Sequence, residues 1–467
     1  MSSPPRQQRY ALILAAGKST RFKSQKPKVL HQLSGKPLIQ HVLDTLEDLD
    51  IQKTFVVIGP QDHGVQNILE GHHSQLVVQE ERLGTGHAVM VAADQLRQLK
   101  GNILVLYGDT PLIRRETLES LFETCERKSA DQVLLTAELD DPHGYGRIIR
   151  GPAGEVIDII EERDISLEQK SIREINAGFN CFRISSLLEA LSFLSRENAA
   201  EEYYLTDVLR MLQQRGRIVQ DISTTHVEEI LGINDRIDLS RAESWLRSQI
   251  VRKWLLEGVT IIDPSSVYID DTVTLAPDTT IFPGVFLEGK TRIGTDCVIR
   301  SFCHLKDTVL EEGVHVDQCS VIRNSSVGKN TRIGPFAHLR NNVFVGSDSW
   351  IGNFVEIKNC EIGNESKAAH LSYLGDAEIG NRVNIGAGTI TCNYDGVRKH
   401  KTTLEDGVFI GSDTQLVAPV TVKKGAYVAA GSSITRDVPA YALGIARGKQ
   451  VNKKDWAKKN QKKSEEK

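Results

Sequence analysis

The chain has no apolar run long enough to cross a bilayer, no paired cysteine spacing and almost no excess of charge. Its 57 basic and 61 acidic residues leave a formal net charge of −4 in 467 residues. Without a global field nothing draws in nucleic acid or an anionic membrane, so any anionic ligand must be met locally. The seven cysteines, Cys125, Cys181, Cys297, Cys303, Cys319, Cys360 and Cys392, are odd in number and fit neither a metal site nor a disulfide framework; they read as reduced thiols of a cytosolic protein. The start, MSSPPRQQRYALILAAG, holds a brief apolar run that reads as a first strand rather than a signal sequence. The expectation is a soluble cytoplasmic protein with no nucleic-acid or membrane partner. At roughly 150 residues per domain it should hold two.

What is present in abundance is a period. Between residues 267 and 434 an aliphatic residue recurs at nearly every sixth position: Ile269, Leu275, Ile281, Leu287, Ile293, Ile299 and Leu305, then Val327, Ile333, Leu339, Val345, Ile351 and Ile357. A second series, small or β-branched, follows four residues behind as Val273, Thr279, Val285, Thr291, Cys297, Cys303 and Val309. Six residues make one short strand and one corner, and three such units close a triangular coil filled by stacked aliphatics. In this the segment resembles the left-handed parallel β-helix of the hexapeptide-repeat acyltransferases. The rhythm slips around residues 310–326, shifts between Ile357 and Ile362, and pauses over residues 391–409 (TCNYDGVRKHKTTLEDGVF). Insertions in a solenoid emerge as loops, and binding groups concentrate there.

The first half reads differently. Continuous apolar runs at residues 11–16, 54–59, 75–79, 102–109 and 132–139 alternate with helical patterns, the mark of an α/β domain with a mostly parallel sheet covered on both faces. Ligands of such sheets bind outside the carboxyl ends of the strands. There the sequence places LAAGKSTRF (14–22) and KPKVL (26–30), where Gly17 admits a phosphate and Lys18, Arg21 and Lys28 can neutralise it. The string is neither the Walker loop nor the dinucleotide fingerprint. It resembles the signature loop of the sugar-phosphate nucleotidyltransferases.

That resemblance implies a Rossmann-like domain that transfers UMP from UTP to a sugar 1-phosphate. It implies that Leu14, Gly17, Lys18 and Lys28 bind the nucleotide, that Gln79, Gly84 and Thr85 of QEERLGTGHA read uracil, and that Tyr107 and Asp109 of YGDTP, with Gly146, Glu161 and Asn176, line the sugar-phosphate pocket. Arg21 is the implied catalytic cation, and Asp109 and Asn234 of GIND are the implied Mg2+ ligands. Ser19 departs from the glycine usual in close relatives. Downstream, residues 236–257 predict a linker helix with Ile237, Ala242, Trp245, Leu246, Ile250, Trp254 and Leu255 near one stripe, stopping at Gly258. The tryptophans are expected to cap the first coil.

The stretches LRNN, NFVEIK, AAHLSYLGD, NIGAGTITCNYDG and GSDTQLVAP (339–419) resemble bacterial glucosamine-1-phosphate acetyltransferases. Both halves together resemble the bacterial bifunctional family that pairs this activity with N-acetylglucosamine-1-phosphate uridyltransferase. The resemblance implies that His370 is the general base for the amine, that Arg340, Lys358, Tyr373 and Asn384 hold glucosamine 1-phosphate, and that Ala387, Asn393, Tyr394, Ser412, Ala430 and Arg447 meet acetyl-CoA. It also implies a homotrimer with sites between subunits. Ala369 and Asn341 depart from the glycine and proline usual there. The expected organisation is a uridyltransferase domain over 1–235, the linker helix over 236–257, a left-handed β-helix over 258–440 and a basic tail over 441–467. Two other readings stay open: a β-helix serving only oligomerisation or regulation of an active nucleotidyltransferase, and a non-enzymatic repetitive binding surface, which the heterogeneous outward residues disfavour.

Overall fold

The five apolar runs of the first half all become strands of one sheet. In this computed structural model, which describes residues 7–17, 20–60, 62, 64–70, 72–458 and 461, its main path runs Val219–Thr224, Gln132–Glu138, Glu174–Arg183, Asn102–Tyr107, Arg9–Leu14, Ile51–Ile58, Ser74–Val78. Every neighbouring pair is parallel except those made by Glu174–Arg183, which runs antiparallel to both neighbours. A hairpin of Arg147–Arg150 and Val156–Ile160 hangs on that strand through Ile175 and Arg147. Helices Leu38–Glu47 and Arg115–Lys128 close one apolar core, and Thr85–Met90, Ile184–Leu191 and Asp207–Gln214 close the other. Burial on both faces is why these strands read as unbroken apolar runs rather than alternations.

The chain divides into two units, Met1–Arg247 and Ser248–Lys467, and the helix Arg236–Leu256 contains the division. The single stripe expected on it is not observed: Ile237 and Leu255 are exposed, while Ala242, Ile250, Val251 and Trp254 are buried. Trp245 packs with Leu239 and Leu246 against Phe22, Leu33, Leu38 and Leu112 of the first unit, so it does not cap a coil as expected. The Glu243 carboxylate accepts from Ser34 N and Oγ at 2.8 and 2.9 Å. Gly258, at φ +89°, ends the helix in the left-handed conformation that leaves Val259 N bonded to Trp254 O at 3.0 Å. Among the described residues no helix is long and apolar enough to cross a membrane.

The second unit is a left-handed parallel β-helix of three ladders. Ile269 lies opposite Leu287 and Leu287 opposite Leu305, each eighteen residues on, so one coil is three hexads. The rhythm first breaks one step earlier than the sequence indicates. Ile293 lies opposite Leu310, seventeen residues on, because the strand His304–Leu310 turns its corner in five residues, not six. Thr308 takes the interior place, fully buried, with its hydroxyl bonded to Lys306 O and Ile322 O, and Val309 is 40% exposed. Val321–Val327, Glu356–Ile362 and Tyr373–Ile379 turn the same corner the same way, with Ser325, Cys360 and Ala377 inside. The pause over 391–409 is a single enlarged coil: Ile379 lies opposite Leu404, twenty-five residues on.

This register assigns different weights to adjacent positions. Ile322→Ala, deep in the coil, is expected to destabilise the second unit by about 2–5 kcal/mol, whereas Val309→Ala should stay within about 0.5 kcal/mol. Calorimetric unfolding of the two variants checks this, and a Val309→Ala loss comparable to that of Ile322→Ala contradicts the five-residue corner.

Candidate active sites

In the first unit, residues far apart in sequence meet where the parallel strands end. Arg21 Nη2 donates to Asn234 Oδ1 at 2.9 Å across 213 positions. The Lys28 ammonium forms a short ion pair with Asp109 Oδ2 and reaches the same Asn234 Oδ1 at 3.3 Å. Asn234 is held from behind: its Nδ2 donates to Gly232 O at 3.1 Å and its backbone N–H to Asp238 Oδ2 at 2.9 Å. Because a carbonyl oxygen only accepts, the Gly232 contact forces the amide to present its own oxygen forward. Ile233 N bonds to Asp109 O at 2.9 Å and ties the two segments together. Two hard oxygens thus converge on one positive charge, a donor set that fits Mg2+, which takes few protein ligands and leaves its other positions to water and phosphate. Leu14 closes the first strand between Val57 and Tyr107, and a Cβ at Gly17 would meet open space. Lys18 and Ser19 lie outside the described residues.

Beside this cluster Gly146 lies against Glu161 and Asn176, and Tyr107 against Gly178. The bulge between Asn176 and Asn180 brings Gly178, at φ +87°, under the Tyr107 ring, where a Cβ would clash. Asn176 N bonds to Gly146 O at 2.9 Å, and its Oδ1 accepts from Gly178 N. Glu161 accepts from Thr206 Oγ1 at 2.9 Å. Burial pushes the Glu161 carboxyl above its ordinary range, against that hydrogen bond, with Asp207 and Asp164 adding to the rise. The 84–86 turn is clamped from outside: Gly86 N bonds to Tyr203 O and Tyr203 N to Leu83 O, both at 2.8 Å, and Leu205 N to Thr85 Oγ1 at 3.1 Å. Gly84 sits at φ +111° with the Tyr203 carbonyl where a Cβ would stand, so this position admits only glycine.

In the second unit the candidate residues fall into two ranks. His370 lies in register with Asn353, and the adjoining pairs Ala368–Ile385, Ile385–Ile410 and Ile410–Val428 carry the same edge position on to Ala387, Ser412 and Ala430. Arg447 Nη1 donates to Ala430 O at 2.8 Å and continues this rank. Coils stack roughly 4.8 Å apart, so four positions span about 15 Å. Asn353 Oδ1 stands 2.7 Å from His370 Nδ1. With that oxygen accepting, the ring carries its proton on Nδ1 and keeps a lone pair on Nε2. Asn384 lies in register with Lys367 and Phe409 on the preceding face.

The other rank is Arg340, Lys358 and Gly375. Arg340 donates to Glu356 Oε1 at 2.9 and 2.6 Å. The Tyr373 hydroxyl and Asn393 Nδ2 occupy the space over Gly375 that a side chain would fill, and Asn393 makes a short hydrogen bond to Asp376. The enlarged coil folds back on itself: Asp395 accepts from Val397 N, Arg398 N and His400 Nε2 at 2.6–2.7 Å, and Tyr394 bonds to Gly396 O. The effect is to set Lys399 beside Lys358, whose ammonium it pushes below the ordinary lysine range. The two ranks lie on opposite edges of one face.

Residues 11–165 match the MobA-like NTP transferase domain and residues 264–362 the GMPPB C-terminal domain. The bifunctional GlmU protein of Geobacillus sp. (strain WCH70) is 49% identical over 448 residues, which cover 96% of this chain and 97% of that one. Those of Shouchella clausii (strain KSM-K16) and Halalkalibacterium halodurans are 46% and 47% identical over 454 and 451 residues, each covering 97% of this chain and 99% of its own. The chain belongs to the bifunctional GlmU family. As a member of that family it is a transferase with a uridyltransferase and an acetyltransferase function.

Three residues near these clusters escaped the sequence reading. Thr206 bonds Glu161, Asn353 bonds His370 and Lys399 adjoins Lys358. A +17 offset from Asn353 to His370 was available once coil length was known; nothing in the local sequence distinguished Thr206. Because the Glu161 carboxyl is raised, its ionised form costs stability above that raised value, and the cost vanishes below the ordinary glutamate range. Glu161→Gln is therefore expected to raise the melting midpoint of the first unit by roughly 1–4 °C at neutral pH and not under acid conditions, measured by calorimetry. A lowered midpoint at neutral pH contradicts this.

Proposed function

We propose that residues 1–235 transfer UMP from UTP to N-acetylglucosamine 1-phosphate, releasing pyrophosphate, and that residues 258–440, assembled as a homotrimer, first make that substrate by acetylating glucosamine 1-phosphate from acetyl-CoA. Residues 236–257 join the two; the expected start of the basic tail at residue 441 is too early, because Leu443–Gly444 still pairs with Tyr427–Val428 in the ladder. The observation that carries the first half is the meeting of Arg21, Lys28, Asp109 and Asn234 at the strand ends. In that reaction a sugar-phosphate oxygen attacks the α-phosphorus of UTP in line, so two anions meet while a third leaves, and positioning with charge neutralisation does most of the catalysis. Arg21 neutralises the α-phosphate, Lys28 assists beside it and Lys18 favours the departing phosphates. Asp109 and Asn234 would hold Mg2+, which when bound neutralises charge on the reacting phosphates. Leu14 and Gly17 bound the nucleotide, Gln79, Gly84 and Thr85 meet uracil, and Tyr107, Gly146, Glu161 and Asn176 meet the sugar.

For acetyl transfer, a protonated amine has no lone pair, so His370 Nε2 must take its proton before the nitrogen attacks the thioester. Ala387, one coil along the same edge, offers a backbone N–H with no partner among the described residues, suited to the thioester oxygen. The rank through Ser412 and Ala430 to Arg447 suits an extended pantetheine, with Asn393 and Tyr394 at the border. Arg340 and Lys358 hold the sugar phosphate, while Tyr373 and Asn384 orient the ring. All seven cysteines are free, which supports a reducing, cytoplasmic setting.

Two features support the trimer. Amine and phosphate sit on adjacent carbons of one sugar ring, yet His370 and the Arg340–Lys358 rank stand on opposite edges of one face. This separation supports an arrangement in which a second copy brings its cations to its neighbour's histidine. Beside the histidine rank runs a ridge of Phe302, Phe336, Phe354 and Leu371, 46–67% exposed and all at positive φ. Bulky side chains in that conformation cost of order 1–2 kcal/mol each, an arrangement that a solvent-facing edge does not explain and a packed seam does.

His370→Ala should lower acetyl transfer by about 10²–10⁴-fold and spare pyrophosphate release; Arg21→Ala should lower uridyl transfer by about 10²–10³-fold and spare CoA release. Loss of both activities in either folded variant sinks the assignment of independent sites. Co-assembling His370→Ala with Lys358→Ala chains should restore on the order of a quarter of the acetyl transfer through mixed seams. No recovery in mixed trimers means that both residues serve from one copy.

A further inference from the structure

Gln79 is almost fully buried, and its amide nitrogen has two partners: Gly84 O at 3.3 Å and His87 Nδ1 at 3.0 Å. The Gly84 carbonyl can only accept, so the group facing it must be the NH2 of the amide. That nitrogen can only donate, so His87 Nδ1 must be a bare acceptor and the imidazole must carry its proton on Nε2. The imidazole is held by its helix, Thr85–Met90, and by the Tyr203 ring, 6.1 Å away and nearly parallel. Both N–H bonds of the amide are then spent within the protein, and Oε1 has no partner among the described residues.

We propose that His87 is the positioning residue that sets the base specificity of uridyl transfer, by locking the Gln79 amide with its oxygen toward the base. The proposal rests on the reading of Gln79 as a base-reading residue. Uracil presents acceptor, donor, acceptor along O2, N3–H and O4, whereas cytosine presents acceptor, acceptor, donor. An oxygen fixed at the middle position accepts from N3–H of uracil and meets the lone pair on N3 of cytosine. An amide free to turn over would offer NH2 instead and pair with cytosine N3. Discrimination therefore depends on the tautomer of His87, a residue that need not touch the nucleotide. Sites that hydrogen-bond a polar group reject analogues strongly because mismatched partners stay desolvated and unpaired.

The test is the ratio of kcat/KM for UTP to that for CTP in the intact protein. His87→Phe keeps a ring against Tyr203 and removes the acceptor, and the ratio should fall by at least about 10-fold. His87→Asn can present Oδ1 where Nδ1 stood and should recover most of it. A His87→Phe ratio equal to the wild type, with Gln79→Leu collapsing it, overturns the role of His87 and leaves the base-reading role of Gln79 intact. A ratio unmoved by either variant overturns both. Should His87→Phe not fold, the 15N shifts of the wild-type imidazole decide: a protonated Nε2 supports the proposal, and a protonated Nδ1 refutes it.

Discussion

Everything functional in the second unit depends on the length of one coil. A parallel ladder repeats every eighteen residues while three hexads close the triangle, and each aliphatic then falls on the one before it and is buried there. Outward side chains inherit that alignment. Because Asn353 and His370 sit seventeen residues apart, in a coil shortened by one five-residue corner, they stand in register on one edge and hydrogen-bond. Had the corner kept six residues, the two would be offset and the ring left without its orienting oxygen. The same corner, in Glu356–Ile362, aligns Lys358 with Gly375, whose missing side chain admits the Tyr373 hydroxyl. Core packing and site geometry are one constraint here, not two.

The first unit meets the same need by a different route. Its strands are covered by helices on both faces, so polar residues gather where parallel strands stop and loops from distant sequence cross over. Arg21 and Lys28 lie on two single-turn helices of the segment that follows the first strand, Asp109 and Asn234 on two further loops, and Ile233 N on Asp109 O joins the latter two. The antiparallel strand of the main path, Glu174–Arg183, breaks its own ladder with a bulge at Gly178 and turns Asn176 toward Gly146. Irregularity in both units marks the functional positions: a bulge in one, an enlarged coil in the other.

Legibility in the sequence follows from this. The six-residue period and the apolar runs sufficed for both fold classes, because burial of aliphatics at fixed intervals leaves few alternatives. The strands Glu174–Arg183 and Val219–Thr224 were missed, since Asn and Gly interrupt the first and the second is only half-buried. Val309 was misplaced inside because a five-residue corner changes which neighbour faces inward without changing composition. Periodicity alone cannot tell an outward histidine from a catalytic one, and no spacing links Arg21 to Asn234; resemblance to known families brought those residues forward. Supporting residues such as Thr206 and Lys399 lay beyond both kinds of reading, because their importance is a contact and contacts across a fold leave no local mark.

A common device joins the two units. Amides and imidazoles are ambiguous groups: either can be turned over, or carry its proton elsewhere, at little intrinsic cost. In the first unit the ambiguity is removed by backbone carbonyls that can only accept. Gly232 O turns Asn234 so that its oxygen faces the cations, Gly84 O turns Gln79, and the turned Gln79 selects the tautomer of His87; in the second unit an amide oxygen again meets an imidazole, Asn353 Oδ1 against His370 Nδ1. Two of these anchors are backbone carbonyls, whose direction the fold itself dictates. Chemical polarity at the reacting positions is thereby made a consequence of backbone geometry, which explains how polar side chains at the margin of the core can hold one orientation.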